Sequence, residues 1–307
     1  MVQKQTPSFE FRNAIAPRYI EPLLLNIRYG QWYTRAQLVT LLRSQDLDLD
    51  GNNIVSDNTT AWSLAGLGQL KKRSVDQTTR IMFRLTELGK QLIELYSTNS
   101  ELFYDVMHFL FYSVYLRSNN VGKVRFWLYL NVCEKLWQVA PAAIDNSVLT
   151  NQLQIEGHKA FPNHEPSFSE RSVRGVFPWL QVLTPPFLSK ANKSQLYSNR
   201  RKYCSAQLFH LASDLVYATK EGLQYGTSLS VTERQIEDIC KVCLLDTACF
   251  WEMADLTRMS VSGFEIRKGQ WGTSIALECP PTWVTLPDFS AGKIVDEANG
   301  LEVEGEE

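Results

Sequence analysis

The chain is short of the patterns that mark exported proteins, membrane proteins and most enzymes. It has no run of about 18 uncharged apolar residues, which excludes an ordinary membrane helix. The opening MVQKQTPSFEFRN lacks the apolar core of a signal peptide, so the expectation is a cytoplasmic chain. Cysteine is sparse, with six residues in 307, which fits reduced thiols rather than a disulfide framework. Cys240 and Cys243 are spaced CxxC, and Cys249 and Cys279 are the conceivable completing ligands. The pair falls mid-helix on an apolar face, whereas zinc pairs come from turns, so buried thiols are expected and no metal. The four histidines, His108, His158, His164 and His210, show no HxxxH or HExxH spacing. There is no GxxxxGK[ST] phosphate loop, no GxGxxG dinucleotide turn and no GxSxG elbow. The expectation is a non-catalytic protein without a cofactor.

What is present is enough apolar material to fold and a segregated charge. At 44% hydrophobic residues, 307 residues can bury cores for two or three domains. The net charge of -2 alone argues against a polyanionic partner. Its distribution argues otherwise. Between Asp57 and Glu87 the only acid is Asp76, against Lys71, Lys72, Arg73, Arg80 and Arg84. From Arg171 to Ser213 there is no acid, against Arg171, Arg174, Lys190, Lys193, Arg200, Arg201 and Lys202. The acids gather in Asp46, Asp48 and Asp50 and from Asp296 to Glu307. Phosphate neutralisation depends on the local field, so two acid-poor runs point to a nucleic-acid surface; the bland alternative is two solvated faces.

The organising stretch is Ser56 to Tyr96, SDNTTAWSLAGLGQLKKRSVDQTTRIMFRLTELGKQLIELY. It predicts a short apolar helix carrying Trp62, Leu64, Ala65 and Leu67, a turn at Gly66 and Gly68, and a basic hairpin. An alternating strand (Ile81, Phe83, Leu85) follows, then a helix capped by Thr86 with Leu88, Leu92, Leu95 and Tyr96 on one face. In this order of elements the stretch resembles the winged helix-turn-helix superfamily, and LxxLGxLKK followed by FRLTELGKQLIE is similar to its MarR- and PadR-like branches. The resemblance implies DNA as partner, with Asn58, Thr59, Thr60 and Ser63 facing a groove and Lys71, Lys72, Arg73 and Arg80 on phosphates. None of the four groove residues is an arginine able to grip guanine, so backbone docking outweighs base readout. The alternative is a scaffold whose winged modules bind protein.

Upstream, Pro17 to Arg28 reads as a helix and Thr34 as the cap of a second one through Gln45. Asp46, Asp48, Asp50 and Gly51 match the first half of a calcium loop, but Asn53 and Asp57 fit its second half poorly, and a polar turn explains the same residues. Downstream, two aromatic helices are joined at Asn119 to Gly122, with His108 read as a satisfied core histidine. Their rings suit a packed core or a dimer face, and winged-helix dimers use such added helices, so a homodimer or a subunit of a larger complex is expected. The LTELGK helix with MHFLFYSVYL and RFWLYLN is also similar to an uncharacterised bacterial family encoded beside phage-defence DNA-modification genes. This chain lacks that family's N-terminal histidine and glycine motif, and no site residue is carried over.

A second candidate module runs from a helix at Asn146 to Gly157 through Ser167 and Glu170 in capping-box spacing, Arg171 and Arg174 on one face, a stop at Pro178, and a wing to Tyr203. Beyond it come a helix from Ser205 to Tyr225, a capping box at Thr232 and Gln235, a helix from Thr247 to Arg258 and a hairpin with its turn near Gly269 and Gly272. The expected fold is mainly α with short β-hairpins, winged helix-turn-helix modules joined by helical segments. The expected divisions are a winged domain at 14–98, a helical domain with a candidate second module at 99–225, an α+β module at 226–290 and a disordered acidic tail at 291–307. The functions this implies are transcription regulation or a part in antiviral defence.

Overall fold

The computed structural model describes residues 11, 15–44, 51–75, 78–117, 124–162, 168–190, 195–220, 223–270, 272–281 and 301–303. Asp46, Asp48, Asp50, the 119–122 joint and Ser167 lie outside them.

The expected first helix is not continuous; two 3₁₀ turns, Pro17–Tyr19 and Leu24–Asn26, take its place. Pro22 has no N–H and its ring crowds the carbonyl one turn back, so an α-helix cannot pass through it. Strand β1 (Tyr33–Thr34) leads into helix α1 (Arg35–Arg43). Thr34 caps it as expected, and Gln37 makes the cap a full capping box: the Thr34 hydroxyl accepts from the Gln37 N–H at 3.3 Å, and the Gln37 side chain accepts from the Thr34 N–H at 2.8 Å. Helix α2 (Gly51–Leu64) buries a stripe of Gly51, Ile54, Val55, Asn58, Thr59, Ala61 and Trp62 against α1. Gly66, at φ +83°, takes the left-handed conformation that turns the chain into the hairpin.

That hairpin is β2 (Gly68–Val75) and β3 (Thr78–Leu85), antiparallel, and β1 pairs with the far side of β3. Helix α3 (Glu87–Thr98) starts at Thr86, whose hydroxyl donates to the Gly66 carbonyl at 2.7 Å and accepts from the Gly89 N–H at 3.2 Å. The glycine of LTELGK has a packing reason. A Cβ on Gly89 would stand 2.2 Å from the Leu67 carbonyl oxygen, so only glycine lets α3 lie this close to the turn.

Helices α4 (Ser100–Leu116) and α5 (Val124–Val139) are the aromatic pair. Phe103, Phe109, Phe111, Tyr112, Phe126, Trp127 and Tyr129 are all buried, so their rings make the core and are not available as a dimer face. Phe111 packs edge-on against Trp179 at 4.9 Å and Phe11 at 5.6 Å, each buried ring contributing about 1.5–3 kcal/mol. Helix α4 touches α3, α5 and three helices from later in the chain.

After α5 come β4 (Ala142–Ala143), α6 (Asn146–Ala160), α7 (Glu170–Arg174), α8 (Phe177–Gln181), β5 (Leu188–Lys190) and β6 (Leu196–Ser198). Ser169 precedes α7 without a side-chain capping bond, and Pro178 opens α8 instead of closing a helix, because a first helical turn needs no proline N–H. Next are α9 (Ala206–Lys220), β7 (Ser228–Ser230), α10 (Glu233–Cys243) with the expected Thr232 and Gln235 capping box, α11 (Phe250–Ser260), β8 (Phe264–Gly269) and β9 (Gly272–Leu277). Helix α9 packs on α10 and α11 and also on α4.

The chain is thus mainly helical with small sheets, and it passes three times through one plan: a strand, two or three helices, then a hairpin. The sheet orders are β1-β3-β2, β4-β6-β5 and β7-β9-β8, in each case first, third, second, with antiparallel neighbours. One strand breaks the pattern. Residues Leu301–Val303, expected within a solvated tail, form β10, which pairs in parallel with the outer edge of β2. An edge strand offers unpaired N–H and C=O groups, and this short segment takes them up.

Candidate nucleic-acid interface

The β2–β3 register decides where each basic side chain of the first run goes. Successive residues of a strand alternate between faces, and directly paired residues share one. Leu70 pairs with Phe83 and Gly68 with Leu85, so these set the face toward the core. Gln69 pairs with Arg84, Lys71 with Met82 and Arg73 with Arg80, so Lys71, Arg73, Arg80 and Arg84 share the opposite face. Lys72, paired with Ile81, belongs to the core side but lies where the hairpin has outrun the core, and both residues are exposed. The register therefore separates Lys72 from the cluster and adds Arg84.

Arg73 and Arg80 are exposed and directly opposite each other. Like charges in this position cost stability, by about 0.2–1 kcal/mol, and the strain is relieved when an anion binds. Trp32, just before β1, completes the face. The Arg84 guanidinium lies 4.7 Å from its ring centroid and the Lys71 ammonium 5.6 Å, while Arg84 Nε donates to Gln69 Oε1 at 2.8 Å. The sequence places Arg84 in the basic run but not among the phosphate ligands, and does not single out Trp32; pairing residues 68–75 against 78–85 is the signal that finds Arg84.

Helix α2 corrects two expected groove residues. Asn58 and Thr59 are buried, and their side chains donate to the carbonyls of Ile54 and Val55 at 2.9 and 2.8 Å. They belong to the inward stripe that begins at Gly51. Thr60 and Ser63 are half-buried and keep to the outward side, although the Thr60 hydroxyl is also bonded to the Ser56 carbonyl at 2.7 Å. Gly51, the sixth residue of the conceivable calcium loop, is the buried first residue of α2 rather than part of a loop.

The second basic run is divided. Arg171 and Arg174 are exposed on α7, and Lys190 is exposed on β5. Lys193 lies outside the described residues. The three consecutive residues that follow are not a phosphate-binding group. Arg200 turns onto Trp137, its guanidinium 4.4 Å from the ring centroid and its Nε donating to the Trp137 carbonyl at 3.1 Å. Arg201 is fully buried and ion-paired with Asp105 of α4 at 2.8 Å, and it also donates to the carbonyls of Thr184 and Cys243. Lys202 pairs with Asp246 at 3.0 Å at the surface. The backbone dictates this: Arg201 N–H donates to the Leu244 carbonyl and Asp246 N–H to the Arg201 carbonyl, so the segment is held beside the end of α10 and its middle side chain must point inward.

His108 is a core histidine. Its Nε2–H donates to the Val242 carbonyl at 2.8 Å and its Nδ1 accepts from the Tyr129 hydroxyl at 2.9 Å. Burial, with the nearby Arg201 charge adding to it, holds its pKa down at about 4. Cys240 and Cys243 face the buried side of α10, where burial pushes both thiols up. Among the described residues no three His, Cys, Asp or Glu side chains are grouped to hold a metal, and no helix is long and apolar enough to cross a membrane. Comparison with family models, curated proteins and solved structures gives no match to this chain.

Proposed function

We propose that this chain is a non-catalytic DNA-binding protein of winged-helix type that docks mainly on the phosphate backbone through its first unit. The single observation that carries this reading is the cationic face of the β2–β3 hairpin, with Arg73 directly opposite Arg80, Lys71 and Arg84 beside them and Trp32 at the border. The first, third, second sheet order with two or three helices before each hairpin, seen three times among the described residues, supports a winged-helix reading. With Asn58 and Thr59 inside, α2 is poorly equipped to read bases, so the affinity is electrostatic. A role in transcription regulation or antiviral defence is compatible with such docking.

Duplex DNA binding by fluorescence anisotropy across a salt series tests it. The wild type should bind more weakly as salt rises, with a steep logarithmic slope, and a K71A/R73A/R80A variant should show a slope shallower by about 0.9 for each phosphate it no longer neutralises. Absence of binding at low salt, or a variant with the wild-type slope, overturns the reading.

One observation favours a protein-binding role for the third unit. Helix α11 exposes Trp251, Leu256 and Met259, the last at 70%, alongside Glu252 and Asp255. This face is apolar with mixed charge, Arg258 pairing with Asp255 at 3.5 Å, and its apolar area suits a protein surface. A scaffold function for that unit is compatible with DNA docking by the first.

A further inference from the structure

We propose that the outer edge of β2 is a strand-addition site for an acidic extended peptide, and that the chain's own Leu301–Val303 occupies it and shields the cationic hairpin from polyanions. The proposal rests on the DNA-binding reading of that hairpin.

The geometry points to it in three ways. Strand β10 takes the outer edge of β2, which would otherwise be open beside the basic face, in the order β1-β3-β2-β10. Its register sets Leu301 opposite Leu70, Glu302 opposite Lys71 and Val303 opposite Lys72, so an acid is brought to the level of the lysine that borders Trp32. The sequence from Asp296 to Glu307, which contains the paired segment, has six acids and no base, whereas the run around Leu70–Lys72 is acid-poor. Within a Debye length of about 8–10 Å such charge lowers the local potential that a phosphate backbone would feel.

The pairing is also built to be reversible. The β2–β3 ladder is antiparallel over eight residue pairs, whereas β10 contributes three residues in parallel. Parallel pairing is the weaker kind, and so short a strand has little of its own to hold it in place. Main-chain bonds along the edge give affinity for any extended segment, and the lysines at 71 and 72 select an acidic one. A nucleic-acid backbone and the acidic segment therefore compete for one face.

The test compares full-length protein, a variant lacking residues 291–307 and full-length E302K, measured for duplex DNA affinity and for amide hydrogen exchange within Leu70–Lys72. Removal of the segment should tighten DNA binding on the order of tenfold at low salt, E302K should move in the same direction, and exchange along β2 should speed up. A synthetic peptide of residues 291–307, added in trans, should restore both protection and weaker binding. Unchanged exchange in the truncated protein overturns the strand-addition site. Unchanged DNA affinity, with K71A/R73A/R80A still weakening it, overturns the shielding. If neither full-length nor truncated protein binds DNA, the DNA reading fails, and the exchange result alone decides whether the edge takes up the segment. E302K keeps the full chain and reports the same competition should truncation disturb folding.

Discussion

The two acid-poor basic runs look alike in sequence and are used in opposite ways. In the first, Lys71, Arg73, Arg80 and Arg84 sit on a hairpin that extends beyond the core, so alternation sorts them together onto the face opposite the core. In the second, Arg171, Arg174 and Lys190 stay exposed, but Arg201 is pinned by two backbone hydrogen bonds to the end of α10 and the core takes its side chain, while Arg200 lies half-buried on Trp137. Acid depletion means a polyanion surface only where the backbone leaves the side chains in solvent. Where it does not, the partner acid can come from far away in sequence, as Asp105 does for Arg201.

Substitutions should separate the two runs sharply. R201A leaves the Asp105 carboxylate buried without its cation and should cost about 3–5 kcal/mol in chemical denaturation, with the salt slope of DNA binding unchanged in whatever remains folded. A loss below about 1 kcal/mol would remove the distinction drawn between the runs.

The interior that holds the second run should also respond to acid. His108 and His210 are both pushed down by burial to about 4 from an ordinary 6.5. The unfolded chain therefore takes up protons that the folded chain refuses over that interval, and stability, complete above pH 6.5, falls as the pH drops toward 4. Each histidine should contribute about 1.4 kcal/mol per pH unit within that window, read from denaturation midpoints at several pH values. A flat profile there would mean that the imidazoles are not held neutral.

The first run should give small effects of the opposite sign. R73A removes a like-charge neighbour from Arg80 and should raise stability by about 0.2–1 kcal/mol while weakening DNA binding. Smallest of all, K202A breaks a surface ion pair in which the lysine is 71% exposed, and should change stability by less than about 1 kcal/mol. A larger loss would show that Lys202 is structural like Arg201.

Much of the fold was legible, for local reasons. Thr34 with Gln37, Thr232 with Gln235 and Thr86 are caps whose partners lie within one turn, so their spacing alone announces them. The hairpins at 68–85 and 264–277 follow from alternation and turn residues. The failures came where a local reading lacked phase or distance. Starting α2 at Ser56 instead of Gly51 omitted Ile54 and Val55, and without them the stripe that places Asn58 and Thr59 inside could not be drawn. Pro22 was a visible breaker inside an otherwise convincing apolar pattern. Trp32, Arg201 and β10 depend on packing between segments distant in the chain, which no periodicity encodes.

Helix α4 has a consequence for how the molecule comes apart. Its Phe111 meets Phe11 and Trp179, its Asp105 holds Arg201, and its His108 is bonded to α10, so material from all three units closes on one helix. The repeats in the sequence are therefore not independent in stability. Heating should show one cooperative transition and not three, and a fragment cut at any unit boundary should lose a wall of its own core.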